Sequence, residues 1–203
     1  YHTPRFNEWP GDPDMNHLLK RVPEFYDADT MAHFIIATQL AQATCIRHTL
    51  ESFRARWPES TGICYYKLTD VYPACSWSTV DYYGVPKRSY YVLADSYAPL
   101  HACVTTESTT LTPGGALPVF LLNDTAERGD YCVTIAAYDA ALRPVLRKSF
   151  ETDGAAAVIR LGDFAPDAGE GPLFITAEVR QEGALRDRTF YWFNYKDQSG
   201  CLL

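Results

Sequence analysis

The chain has 203 residues, enough for one large or two small domains, and carries 25 acidic against 18 basic residues for a net charge of −7. That balance argues against a nucleic-acid or anionic-membrane surface as partner. No apolar run approaches the roughly 18 residues of a membrane helix, and no basic start followed by an apolar core marks a signal peptide. Seventeen of the 28 aromatic residues fall in the first hundred positions and all five histidines lie at or before His101. The composition shift near Tyr97-Ala98-Pro99 therefore divides the chain into residues 1–98 and 99–203. Cys45, Cys64, Cys75, Cys103, Cys132 and Cys201 lack metal-ligand spacing and read mostly as buried thiols outside any disulfide, as expected of a reducing, cytoplasmic home. No cofactor or metal is expected.

Residues 1–28 hold Pro4, Pro10, Pro13 and Pro23 and read as a long loop. From Asp29, a candidate N-cap, to about Trp57 no Gly or Pro interrupts. Met31, Phe34, Ile35, Thr38, Ala41, Cys45, Thr49 and Phe53 recur at steps of three and four, which predicts a helix with that stripe buried and with Arg47, Glu51 and Arg54 mostly off it. Gly62 to Leu68 reads as a mostly apolar strand, and Lys87 to Tyr97 as a second helix. Helix, strand, helix is the grammar of an α/β barrel, yet one such unit cannot close a barrel of about 250 residues. The first hundred residues thus read as the last piece of a barrel whose other strands lie upstream.

Beyond Pro99 the period changes to two. Leu117-Val119-Leu121, Tyr131-Val133-Ile135-Ala137, Leu173-Ile175-Ala177-Val179 and Phe190-Trp192 alternate with polar or outward positions. Turn signals separate them at Pro113-Gly114-Gly115, Arg128-Gly129-Asp130, Asp153-Gly154, the loop from Pro166 to Pro172, and Glu182-Gly183. About seven strands in about 100 residues predict an immunoglobulin-like sandwich with Leu121, Val133, Ile135, Ile175, Ala177 and Trp192 in its core.

The segment from Gly62 to Gly84 joins the strand to a polar, aromatic-rich exit loop, which is how a pocket is built at a strand end. In Leu68, Asp70, Ser76-Trp77-Ser78, Asp81-Tyr82 and Gly84 it resembles the last barrel strand and following loop of glycoside hydrolase family 2, in the β-mannosidase branch; Tyr66, Lys67 and Thr69 stand where that pattern has Trp, Gln and Asn. Gln39-Leu40-Ala41-Gln42 with Glu51-Ser52-Phe53-Arg54 resembles the preceding helix, and Lys87, Tyr90, Tyr91 and Ala98-Pro99 the closing one. Leu121-Leu122-Asn123-Asp124-Thr125 and Phe190-Tyr191-Trp192-Phe193-Asn194 resemble a C-terminal immunoglobulin-like domain of such enzymes.

The resemblance implies a retaining glycosidase with an acid/base Glu after an Asn at the fourth strand and a nucleophilic Glu after the seventh. Retaining chemistry needs the two carboxyl groups about 5 to 5.5 Å apart. Asn7-Glu8 tempts, but fewer than 60 residues separate it from the strand at 62, too few for three strands with their helices. Glu24 has no strand before it and lies only 15 residues from the helix at Gln39. Both read as solvated loop carboxylates, so the acid/base and nucleophile are expected upstream. The substrate-binding candidates are Tyr66, which can stack on the apolar face of a sugar ring; Asp70, which can bond a hydroxyl or cap a turn; and Trp77, which can face the sugar or anchor the loop. Lys67 should point away from Tyr66 and send its ammonium to solvent or a carboxylate. The expected partners are a carbohydrate and upstream domains of the same polypeptide. The alternative is a non-catalytic carbohydrate-binding or interaction module, drawing on Tyr191, Trp192, Phe193 and Tyr195. Of these Trp192, with Phe190, is expected to fill the core and leave Tyr191 and Phe193 on the other face.

Overall fold

The computed structural model describes residues 30–73, 76–112, 114–125, 127–167 and 171–194. The expected loop at 1–28 with Glu8 and Glu24, the Asp29 cap, Pro113, Cys75, Cys201 and Tyr195 lie outside the described residues. The chain divides into two compact units, Tyr1–Arg47 with Cys64–Ala94, and His48–Ile63 with Asp95–Leu203. Two helices, α1 (Met31–Arg54) and α2 (Arg88–Ser96), precede seven strands. Among the described residues no helix is long and apolar enough to cross a membrane.

Helix α1 starts where Thr30 Oγ1 accepts the His33 N–H at 3.1 Å, filling one of the orphan donors of the first turn. It ends as the N–H groups of Arg56 and Trp57 bond three residues back, to Phe53 and Arg54, just ahead of Pro58. The stripe expected to be buried is largely exposed. Met31 is 73% exposed, and Ile35, Cys45, Thr49 and Phe53 also face solvent, whereas Ala37, Ala41, Ala43, Thr44, Arg47, Leu50 and Glu51 are buried. Arg47 and Glu51 go inside because a charged group can be buried where partners meet it; for Glu51 these are His101 and Tyr191.

Residues 62–68 correct a second expectation, since they join no strand ladder. Isolated bridges come only after it, Thr69 with Val80 in parallel and Val80 with Pro86 antiparallel. A strand exists through neighbours that take its backbone groups, and the described residues supply no neighbouring strand for this one.

The second unit is a two-sheet β sandwich. Strands β1 (Leu100–Val104), β2 (Leu117–Asn123) and β5 (Val158–Phe164) form one sheet in the order β1-β2-β5; β3 (Tyr131–Tyr138), β4 (Pro144–Thr152), β6 (Leu173–Gln181) and β7 (Ala184–Phe193) form the other in the order β4-β3-β6-β7. Every pairing is antiparallel. One buried cluster joins the sheets, with Ala102, Val104, Leu117, Val119 and Leu121 from one and Val133, Ile135, Ile175, Ala177 and Val179 from the other. Strand β7 turns the face opposite to the one expected. Residues paired across an antiparallel ladder share a face, and Tyr191 pairs with Ile175 and Phe193 with Leu173. Tyr191 and Phe193 are therefore core residues, while Phe190 is 47% exposed and Trp192 half-buried on the outer face.

The cysteines also depart from expectation. Cys103 is buried, but Cys45 and Cys64 are exposed and Cys132 is half-buried. The helix surface that turns Met31 and Ile35 outward carries Cys45 with it.

Candidate functional site

The segment from Tyr65 to Arg88 belongs to the first unit and is held by its own motif residues. At its centre lies Asp70, whose carboxylate is almost wholly buried and meets four groups. Ser76 Oγ and Lys67 Nζ (3.0 Å) approach Oδ1, and Ser78 Oγ (2.6 Å) and Lys87 Nζ (3.4 Å) approach Oδ2. Lys87 also donates to Ser78 Oγ at 2.8 Å and to the Ser76 carbonyl at 3.4 Å. Lys67 thus sends its ammonium to a carboxylate, as expected. Burial alone raises the Asp70 pKa, but hydrogen bonds from Ser76, Ser78 and Lys67 and the charge of Lys87 outweigh it and lower the pKa to about 2.

This shift has a sign that can be tested. A carboxyl depressed from 3.8 to about 2 on folding contributes stability that is present above pH 3.8 and is lost as pH falls through 2. The contribution is on the order of 2 kcal/mol. Acid titration followed by limited proteolysis within 70–87 should show protection persisting to about pH 4 and vanishing by about pH 2. In Asp70→Asn that acid-dependent loss should be missing, since no charge remains to neutralise.

Gln42 on α1 is the second anchor. Its Nε2 donates to the carbonyls of Trp77 (2.6 Å) and Ser78 (3.2 Å), and its Oε1 accepts from Ser89 Oγ at 3.0 Å. Tyr65 Oη donates to the same Trp77 carbonyl at 2.5 Å. One turn earlier Gln39 Oε1 accepts the Arg88 N–H at 3.3 Å and so serves the first turn of α2. Asp81 builds the last turn, its Oδ1 accepting the N–H groups of Tyr83 (2.9 Å) and Val85 (2.8 Å), with Gly84 in the left-handed region at φ 80°.

The three candidate residues fall into two environments. Tyr66 is 90% exposed and Trp77 47% exposed, the Trp77 backbone being pinned while its indole faces outward; Asp70 is buried beneath. Gln39, Gln42, Ser76, Ser78 and Lys87 were not singled out as site residues, although all lie in the motifs that carry the resemblance. Their side-chain chemistry, amide and hydroxyl groups able to bind backbone carbonyls and a carboxylate, is the signal that marks them as scaffold.

A cleft of about 340 Å3 lies in the second unit, lined by Phe53, Trp57, Tyr97, Leu122 and Val158 with Arg54 and Asp124. The Arg54 guanidinium is tied to the carbonyls of Ser96 and Ala98 and to Asp124 (2.7 Å). Asp124 is the acid among the lining residues, so the cleft lacks the two carboxyl groups that glycoside hydrolysis needs. Among the described residues no group of three His, Cys, Asp or Glu could hold a metal ion.

No protein-family model matches the chain. It is 31% identical over 85 residues to β-mannosidase B of Thermothelomyces thermophilus, a match covering 39% of this chain and 10% of that protein. It is 30% identical over 126 residues to β-mannosidase A of Aspergillus terreus, covering 61% of this chain and 13% of that protein. The chain thus spans about a tenth of the length of these curated relatives. Its fold is similar to the crystal structure of β-D-mannosidase from Dictyoglomus thermophilum, with a TM-score of 0.71 over 87% of this chain and 22% of that one at 23% identity, a level that speaks for fold alone. In sequence and in fold, the chain is similar to the C-terminal part of glycoside hydrolase family 2 enzymes of the β-mannosidase branch.

Proposed function

We propose that this chain is the C-terminal part of a retaining exo-glycosidase that removes terminal β-linked sugars, with β-mannosides as substrates. In this reading residues 62–97 supply the last strand of a (β/α)8 barrel, which forms only where upstream strands take its backbone groups, with its exit loop and closing helix, and the sandwich has the immunoglobulin-like arrangement found beside such barrels. The acid/base and nucleophilic Glu residues come from upstream. Tyr66 and Trp77 form one wall of the sugar pocket, and Asp70 anchors that wall from beneath. The parent works in a reducing, cytoplasmic compartment in which the exposed Cys45 and Cys64 persist as thiols.

The observation that carries the reading is the state of Asp70. Each of its oxygens already meets a hydroxyl and an ammonium, and a carboxyl held near pKa 2 is ionised at neutral pH and cannot deliver a proton. The loop therefore suits display of aromatic side chains and not proton transfer. The exposed stripe of α1 supports the barrel assignment, because Met31, Ile35 and Phe53 are the side chains a helix on a barrel buries against upstream neighbours. The rival reading, a free-standing carbohydrate-binding module, loses Tyr191 and Phe193 to the core.

The purified chain of residues 1–203 is accordingly expected to show no turnover of an aryl β-mannoside. Turnover abolished by Glu8→Gln or Glu24→Gln would overturn the upstream placement of the carboxyl pair.

A further inference from the structure

His101 on β1 is completely buried, and each of its ring nitrogens meets a carboxylate. Nε2 lies 3.0 Å from Glu51 Oε1 on α1, and Nδ1 lies 3.0 Å from Asp187 Oδ2 on β7. The remaining protons can be assigned one at a time. The Val104 N–H donates to the Tyr191 oxygen at 3.3 Å, so the Tyr191 hydroxyl hydrogen is directed to Glu51 Oε2 at 2.7 Å. The Ala102 N–H donates to Asp187 Oδ2 at 3.1 Å, which makes that oxygen an acceptor. Nδ1 must therefore carry a proton toward Asp187. The hydrogen between Nε2 and Glu51 Oε1 goes to the imidazole, which is ordinarily far more basic than a carboxylate.

We infer that His101 is doubly protonated in the folded chain, so that a buried cation held between Glu51 and Asp187 clasps the last turns of α1 to the sandwich, and that loss of this proton at alkaline pH opens the clasp. Beside the clasp, His48 on α1 stacks on the Tyr191 ring at 6.0 Å. Burial alone pushes the imidazole pKa down, but the hydrogen bonds to Asp187 and Glu51 and the charges of both outweigh that and raise it to about 9. A pKa raised on folding stabilises fully below the unfolded value near 6.5, and that stabilisation declines as pH rises and is gone beyond the folded value near 9. The device does not depend on the sugar or on upstream domains, because all of its residues lie in the second unit.

Long-range 1H–15N NMR on the complete 203-residue chain tests the protonation state without any substitution. The expected result is that both His101 ring nitrogens give imidazolium shifts at pH 7 and keep them to at least pH 8; a neutral tautomer at pH 7 would overturn the inference. Urea unfolding between pH 6.5 and 9.5 tests the clasp. The midpoint should fall across that window in the unmodified chain and stay nearly flat in Glu51→Gln, whose amide can donate to a neutral Nε2. Equal slopes in the two proteins would show that His101 does not gate the contact, and Asp187→Asn provides the same comparison from the other side of the ring.

Discussion

Glu51→Ala is expected to destabilise the sandwich unit by about 3–5 kcal/mol, the usual cost of removing one partner from a buried ionic set. The substitution takes away both carboxylate oxygens, leaving His101 Nε2 and the Tyr191 hydroxyl without the acceptor that each has at 3.0 and 2.7 Å. Glu51 and His101 are wholly buried and Tyr191 nearly so, so water cannot readily replace the lost bonds. A domain of this size is stable by only about 5–15 kcal/mol, so the loss should be visible as a large drop in the urea midpoint. Glu51→Gln keeps the size and one acceptor and should cost clearly less. Similar midpoints for Glu51→Ala and the unmodified chain would mean that Leu50 and the other apolar side chains dock the helix end by themselves.

The second large effect is expected at Gly154, in the turn between β4 and β5. Its φ of 64° lies in the left-handed region, and a Cβ built there would stand 2.4 Å from Cε2 of Tyr131, a ring with no solvent exposure. Gly154→Ala should therefore combine backbone strain of about 1 kcal/mol with displacement of a packed ring, for a total of about 2–4 kcal/mol. Gly183, in the turn between β6 and β7, has φ 79° and open space around it, so Gly183→Ala should cost only the strain, about 1 kcal/mol. Thermal unfolding of the pair separates the two contributions, and equal shifts would show that the Tyr131 ring yields without cost.

The sandwich was the more legible half of the chain, for a physical reason. Its strands have partners within the chain, so the period-two pattern of Val133-Ile135-Ala137 and Ile175-Ala177-Val179 could be converted directly into an inner face. At β7 both faces are aromatic, and alternation alone cannot say which turns inward; the ladder to Leu173 and Ile175 decides it. Helix α1 was legible in extent but not in orientation. Its apolar stripe of Met31, Ile35 and Phe53 records a surface that wants cover, while its buried side is set by charged and small residues whose partners, such as His101, lie fifty positions away. Residues 62–68 show the same limit, since strand propensity cannot make a strand without neighbours. At the candidate site the two roles open to Asp70, bonding a sugar or capping a turn, are narrowed only by the groups around it, Ser76, Ser78, Lys67 and Lys87, which the sequence alone does not bring together. Cys45 and Cys64 read as buried because thiols usually are, but exposure follows the surface that carries them.

We propose that the loop after residue 62 forms a wall of a sugar pocket in a longer β-mannoside-cleaving enzyme, with Tyr66 as its stacking surface. The most direct test is the inhibition constant of a mannose-configured inhibitor against the complete enzyme and its Tyr66→Ala form. Loss of the aromatic face should weaken binding by about 1–3 kcal/mol, roughly a 5- to 150-fold rise in the constant, with thermal stability unchanged because the Tyr66 side chain is 90% exposed in this chain. An unchanged inhibition constant in a folded Tyr66→Ala enzyme would contradict the account and remove this loop from the substrate pocket.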